Sequence, residues 1–193
     1  MTDTTDFPSD DFDATGTGNS TGANPGWLSP LQLAQVRDLI PLVYVNALPV
    51  RLNELGEVTE VGLLLQVGLQ GTITRALVSG RVLFKERIKE ALLRHLEKDL
   101  GPMALPRIPA SIQPFTVAEY FPNKGVTDFY DYRQHAVSLA YIVPVSGDCH
   151  PRRDALEITW LTPTEASAPE ILADLEGGQD KLLLQALAHL GKI

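Results

Sequence analysis

The chain has 193 residues, 44% of them hydrophobic, 21% charged and 7% aromatic, the composition of a soluble globular protein. Sixteen Lys and Arg oppose 24 Asp and Glu for a net charge of −8. Asp3, Asp6, Asp10, Asp11 and Asp13 precede the first basic residue, Arg37, and setting them aside leaves 19 acids against 16 bases. A mildly acidic remainder speaks against a nucleic-acid partner gripped by a basic stripe.

A single cysteine, Cys149, excludes an intramolecular disulfide and any multi-cysteine zinc site. The opening MTDTTDFPSDDFD lacks the cationic and apolar regions of a secretion signal. The apolar run around Val61 to Leu69 is interrupted by Gln66 and Gly68 and is too short to span a bilayer. A cytoplasmic protein with no membrane partner is the expectation.

Residues 1–26 carry Asp, Thr, Gly, Ser and Asn with few aliphatics, and are expected to form a disordered acidic tail. The GTGNSTG run at 16–22 resembles a phosphate loop, but no strand precedes it, and Asn19 opens a glycosylation sequon without secretory context. Residues 27–193 are read as one domain. Ser29-Pro30 caps a first helix through LQLAQVRDLI. Residues 42–52 read as a strand in which Pro49 marks an edge or a bulge.

Asn53-Glu54-Leu55-Gly56 makes a turn, residues 58–67 a second strand, residues 68–71 a further turn, and 73–78 a third strand. A helix over 86–100 ends at Gly101-Pro102. Residues 103–114 are proline-rich and expected as a surface loop; 115–121 and 134–145 read as strands around a turn-rich segment, 122–132. A strand at 156–161, a helical turn from Thr162-Pro163 and an amphipathic helix at 179–190 complete the chain. Strands outnumber helices and hairpins precede the first long helix, which predicts a mixed α/β fold rather than a regular alternating array.

Residues 80–102 read GRVLFKERIKEALLRHLEKDLGP. Gly80, Glu86, Arg94, Leu96 and Gly101 fall at the spacing of a Nudix box. The hairpin near Asn53, the RQHAVSLAYIVPV strand and the LEITWLTPTEA segment follow in that family's order. Over roughly residues 42–190 the chain resembles the Nudix hydrolase superfamily, and within it a small uncharacterised branch of Nudix-like proteins. The resemblance implies a Nudix-like α/β/α sandwich with a central mixed β-sheet. It also implies that Gly80, Glu86, Arg94 and Gly101 form the scaffold of the box.

In that family three box glutamates hold Mg²⁺ on a diphosphate; here those positions are His95, Lys98 and Asp99. The box is degenerate. Mg²⁺ remains implied only through Asp99 and a main-chain carbonyl at Ser79, with Asp99 the one box acid left for catalysis. At about 100° per residue, His95, Lys98 and Asp99 share one sector beside a stripe of Ile88, Leu92 and Leu96. Glu86, Glu90 and Glu97 lie elsewhere, where Arg94 can pair with Glu90, and Glu97 sits about 160° from His95. A sector containing Lys98 repels Mg²⁺ but can hold a phosphate, so His95, Lys98 and Arg94 are the expected ligand contacts.

Asp128 and Asp131, in an aromatic-rich loop near Glu119, are candidates for a loop base, against the simpler reading as turn formers. Tyr130, Tyr132 and Trp160 can stack on a ring or fill the core. His135 reads as a structural histidine, and its three-residue offset from Ser138 in a strand puts the two on opposite faces. Cys149-His150 lacks further zinc ligands, and Arg152-Arg153 is an exposed loop pair.

The expected function is recognition of a nucleotide or other diphosphate-linked metabolite, with metal-dependent hydrolysis weak or lost. A divergent active phosphohydrolase and a protein-interaction module are the alternatives. The apolar first and last helices suggest a homodimer.

Overall fold

The computed structural model describes residues 26–67, 71–151 and 155–193. The acidic tail up to residue 25, its glycine-rich run and sequon, the turn at 68–70 and the Arg152-Arg153 pair lie outside the described residues.

Helix α1 (Pro30–Leu39) begins where Ser29 and Gln32 exchange hydrogen bonds, Ser29 N donating to Gln32 Oε1 at 2.9 Å and Gln32 N to Ser29 Oγ at 3.3 Å. This reciprocal cap, with Pro30 at the first turn, satisfies donors that a helix start leaves open. Strand β1 (Leu42–Leu52) leads through a turn in which Asn53 Oδ1 accepts from both Leu55 N and Glu57 N into β2 (Val58–Val67). Next come β3 (Ile73–Ala76), β4 (Val78–Arg81) and α2 (Ile88–Leu100). The second half contains β5 (Thr116–Phe121), β6 (Phe129–Tyr130), β7 (Ala136–Pro144), β8 (Ala155–Leu161), α3 (Pro163–Ala166), α4 (Pro169–Ala173) and α5 (Gln179–His189).

The strands order as β3-β2-β1-β7-β5-β6, with β4 also on β1 and β8 also on β2. β1 runs parallel to β7 and β5 to β6, while the other pairs are antiparallel, so the sheet is mixed. Long strands β1 and β2 each change partner along their length, and the sheet splays there. The run at 73–78, expected as one strand, divides for this reason: β3 pairs with β2, β4 with β1. At the break Leu77 N donates to the Gln179 side chain at 2.7 Å. Pro49 is not at an edge. β1 is interior, and Pro49 falls between its β4 ladder (44–47) and its β2 ladder (50–52), where a missing N–H costs neither antiparallel pair.

Alternation along β1 sorts residues to two faces. Val45 and Ala47 pack with Leu92, Leu96 and Leu100 of α2; Leu48 and Val50 pack with Leu182, Leu183 and Leu187 of α5. Helices on both faces of a mixed sheet give the α/β/α sandwich. α5 buries Leu182, Leu183, Ala186 and Leu187 within its own core, which accounts for its apolar breadth without a partner subunit. α1 buries Leu33 against Leu42, Tyr44 and Ala136, while Leu31, Leu39 and Ile40 are exposed. The 103–114 segment, expected as a surface loop, instead buries Ala104 and packs Ile108 and Ile112 on the α2 side. It is tied there by Arg107 N donating to Pro144 O at 2.8 Å.

Candidate nucleotide site

The loop from β4 into α2 is braced by Glu86. Its Oε2 accepts from Leu83 N at 2.8 Å, and Arg94 grips both its oxygens, Nε to Oε1 at 2.7 Å and Nη2 to Oε2 at 2.8 Å. Arg94 Nη2 also donates to Arg81 O at 2.9 Å, and the guanidinium lies over the Trp27 ring at 5.5 Å. Burial opposes ionisation of Glu86, but these bonds outweigh it and hold the carboxyl below its ordinary range. Arg94 therefore pairs with Glu86 rather than Glu90, whose carboxylate instead accepts from Arg87 N at 2.9 Å.

Arg94, expected also to touch a ligand, is spent on this brace and does not line the cavity described below. Replacing it with Lys should lower stability by about 2 kcal/mol, read as a urea midpoint shift. One ammonium cannot serve two carboxylate oxygens and a carbonyl in a fixed fork.

Gly80 and His95 are packed against each other. A Cβ at Gly80 would fall 1.8 Å from His95 Cε1 and 2.2 Å from its ring nitrogens. His95 is 1% exposed, and its Nε2 lies 3.1 Å from Arg81 O. Among the described residues the buried Nδ1 has no hydrogen-bond partner. Burial, with Arg94 and Lys98 nearby, lowers its pKa to about 4, so the ring is neutral at pH 7, with Nε2–H the donor to Arg81 O. His95, expected among the ligand contacts, is thus a core residue. Gly101, at φ +86, closes α2 with no room for a side chain, since a Cβ there would meet His150 O at 2.7 Å.

A cavity of about 460 Å³ opens beside α2 on the sheet face that carries Tyr44, Asn46, Ala136 and Ser138. Lys98, Asp99 and Ser79 line one wall, Tyr120, Lys124, Tyr130, Asp131, Tyr132 and Arg133 another. The passage from α4 to α5 supplies a third wall through Glu176, Gly177 and Gln179. It is pinned by Arg75 N to Asp174 O at 2.9 Å and Tyr130 N to Gly177 O at 3.0 Å. Gly177 and Gly178, both at positive φ, fit because Cβ atoms there would meet Tyr130 O at 2.8 Å and Asp128 O at 2.5 Å.

Among the described residues this lining carries three cations, Lys98, Lys124 and Arg133, against three carboxylates, Asp99, Asp131 and Glu176. It is electrically balanced. Lys98 Nζ stands 3.7 Å from Asp99 Oδ1. Asp131 is held in a fork by Arg133, at 2.9 and 3.0 Å, and accepts from Gln134 Nε2 at 2.9 Å. Burial raises its pKa, but Arg133 and Gln134 outweigh that and leave it low.

Of the two loop acids, only Asp131 reaches the cavity, and a tightly held, low-pKa carboxylate is a weak proton acceptor at neutral pH. Asp128 is exposed and pairs with Lys181 outside it. Trp160 lies under Arg51 at 4.3 Å and is not in the lining, while Tyr130 and Tyr132 are. His135 stacks on Phe121 at 4.3 Å and meets Glu119 at 3.2 Å, away from the cavity that Ser138 lines.

Sequence reasoning did not single out Asn46, Gln134, Lys124 or Gln179. Asn46 and Gln134 stand in or beside apolar strands, a polar residue inside an apolar run, and that was the available signal. Lys124 and Gln179 come from a turn and a helix start, and only the fold brings them to the cavity.

The Mg²⁺ implied by the box requires several hard oxygen donors in near-octahedral array. Among the described residues no three His, Cys, Asp or Glu converge on a metal position. Asp99 and Ser79 do share a wall, but the ammonium of Lys98 faces Asp99 and the His95 ring is turned into the core. The residues present do not fit the metal.

A family profile described as a domain of unknown function (DUF4916) matches residues 23–192. The chain belongs to this family. This chain has the Nudix fold, as the following neighbours show. A structure from Jonesia denitrificans, described as a possible asymmetric diadenosine tetraphosphate (Ap4A) hydrolase, is 67% identical over 80% of this chain and 97% of that one, with TM-score 0.78. The NUDIX domain of Shewanella oneidensis NrtR complexed with ADP ribose matches at 16% identity over 84% and 99% of the two chains, TM-score 0.55. A C. elegans Ap4A hydrolase binary complex matches at 15% identity over 79% and 99%, TM-score 0.55. The sequence matches none of the curated proteins compared with it. No helix among the described residues is long and apolar enough to cross a membrane.

Proposed function

We propose that this DUF4916 protein recognises a nucleotide or another diphosphate-linked metabolite and hydrolyses it weakly or not at all. The observation that carries the reading is the Lys98–Asp99 pair on the cavity wall, where a built-in ammonium stands beside the one remaining box carboxylate. A lysine there is a point charge for a phosphate oxygen, and it competes with any divalent ion for Asp99. Tyr130 and Tyr132 supply ring surface in the same cavity. An open volume of about 460 Å³ suits a small-molecule ligand and weighs against a cleft filled to serve only as an interaction surface.

The test is a panel of nucleoside diphosphate derivatives with Mg²⁺ or Mn²⁺, assayed for phosphate or mononucleotide release beside a thermal melting scan. A ligand that binds only the folded state raises the melting temperature without being consumed. Lys98→Glu should weaken binding of that ligand at least tenfold.

The second reading, a divergent active phosphohydrolase, is favoured by the 67% identity to the Jonesia protein described as a possible Ap4A hydrolase. It predicts metal-dependent turnover that Asp99→Ala abolishes. Turnover at enzymatic rates in the wild-type protein overturns the first reading.

A further inference from the structure

On the sheet face of the cavity, two polar side chains occupy positions where the strands otherwise present apolar residues. Asn46 is 3% exposed and Ser138 1%, and both line the cavity. Asn46 Nδ2 donates to Ser138 Oγ at 2.7 Å and to Tyr120 Oη at 3.5 Å. Those two bonds use both amide hydrogens.

The remaining capacity is unspent. The hydrogen bonds that Asn46 makes leave its Oδ1 as an acceptor, and the hydroxyls of Ser138 and Tyr120, which accept from Asn46, keep their own hydrogens to donate. Burial holds the Tyr120 hydroxyl well above its ordinary pKa, so it stays a donor. All three belong to residues that line the cavity, so a molecule held there can meet these groups.

We infer that Asn46, Ser138 and Tyr120 form a subsite for the hydrogen-bonding edge of a neutral ring, the base of the nucleotide, distinct from the phosphate contact at Lys98. The inference rests on the nucleotide reading above and names the part of the ligand that this floor takes.

The chemistry selects against other groups. An anion is repelled by the Asn46 carbonyl oxygen and by Asp131, which faces Tyr120. One acceptor beside two hydroxyl donors matches a base edge, where donors and acceptors alternate. Leu77, Ala76, Ala136 and Tyr44 bound the same space with apolar and aromatic surface, which suits a flat ring better than a sugar.

The experiment is calorimetric titration of the full chain and of Asn46→Leu and Ser138→Ala. The probes are the four common nucleoside diphosphates, ribose 5-phosphate and inorganic pyrophosphate. Both variants should lose at least tenfold affinity for the tightest nucleoside diphosphate while pyrophosphate and ribose 5-phosphate bind as before. Unchanged nucleotide affinity, or an equal loss for all probes, overturns the inference. Wild-type protein that binds pyrophosphate as tightly as any nucleotide also overturns it, but leaves phosphate recognition standing. Wild-type protein that binds none of the probes removes both readings. Ser138→Ala removes only one oxygen, so it carries the test should Asn46→Leu fail to fold.

Discussion

Gly80→Ala is expected to cost about 3 kcal/mol or more of folding stability, a large share of what a domain of this size has. The added methyl would fall 1.8–2.2 Å from the imidazole of His95. That ring cannot step aside cheaply, because it is 1% exposed and tied to the Arg81 carbonyl at 3.1 Å. Relief requires either the ring or the β4 backbone to move, and β4 is in register with β1 through Val45 and Asn46. Denaturant unfolding of Gly80→Ala, His95→Ala and the double variant measures the clash directly. The double variant should be markedly more stable than the sum of the single losses predicts. A Gly80→Ala loss below 1 kcal/mol would remove the packing explanation for this box glycine.

Acidification from pH 6.5 to pH 4 should remove about 3 kcal/mol of stability through His95 alone. Burial, then the nearby Arg94 and Lys98, lowers its pKa from the ordinary 6.5 to about 4. In that window the unfolded chain binds a proton that the folded protein refuses, so the unfolded state gains as pH falls. The loss starts near pH 6.5, grows through pH 5, and levels off below pH 4. Glu86 and Asp131, both depressed, add their own losses only as the pH nears the ordinary values of 4.5 and 3.8. Urea midpoints between pH 6.5 and 5 therefore read the His95 effect before these two carboxylates contribute. His95→Gln should flatten that part of the curve, and an unchanged slope would show that His95 is protonated without penalty.

The elements were readable because their determinants are local. Ser29-Pro30, Asn53 with Gly56 and Gly101 announce a cap, a turn and a stop through their own backbone chemistry. The box spacing fixed the frame of Gly80, Glu86, Arg94 and Gly101. What was not readable is which way each box side chain turns. Helical arithmetic placed His95, Lys98 and Asp99 in one sector, yet a difference of one turn against Gly80 sends His95 inward and leaves Lys98 and Asp99 on the cavity.

Pro49 misled for the opposite reason. Its local rule assumes one neighbour on each side of a strand, whereas β1 exchanges one antiparallel neighbour for another at that point. The cavity floor was illegible for a third reason. Asn46 and Ser138 lie 92 residues apart in sequence, and only the parallel β1–β7 pairing brings them within a hydrogen bond.

The passage between α4 and α5 has a wider consequence. The same backbone that furnishes Glu176 and Gln179 to the binding cavity continues directly into the helix that seals the second core. A ligand that steadies this wall shares its binding free energy with the C-terminal helix, so fraying of the chain's tail and release of the bound molecule become two faces of one equilibrium. Substitutions along the buried leucines of α5, far from the cavity, are therefore expected to change how tightly a ligand is held there, through the thermodynamic leash that this helix forms.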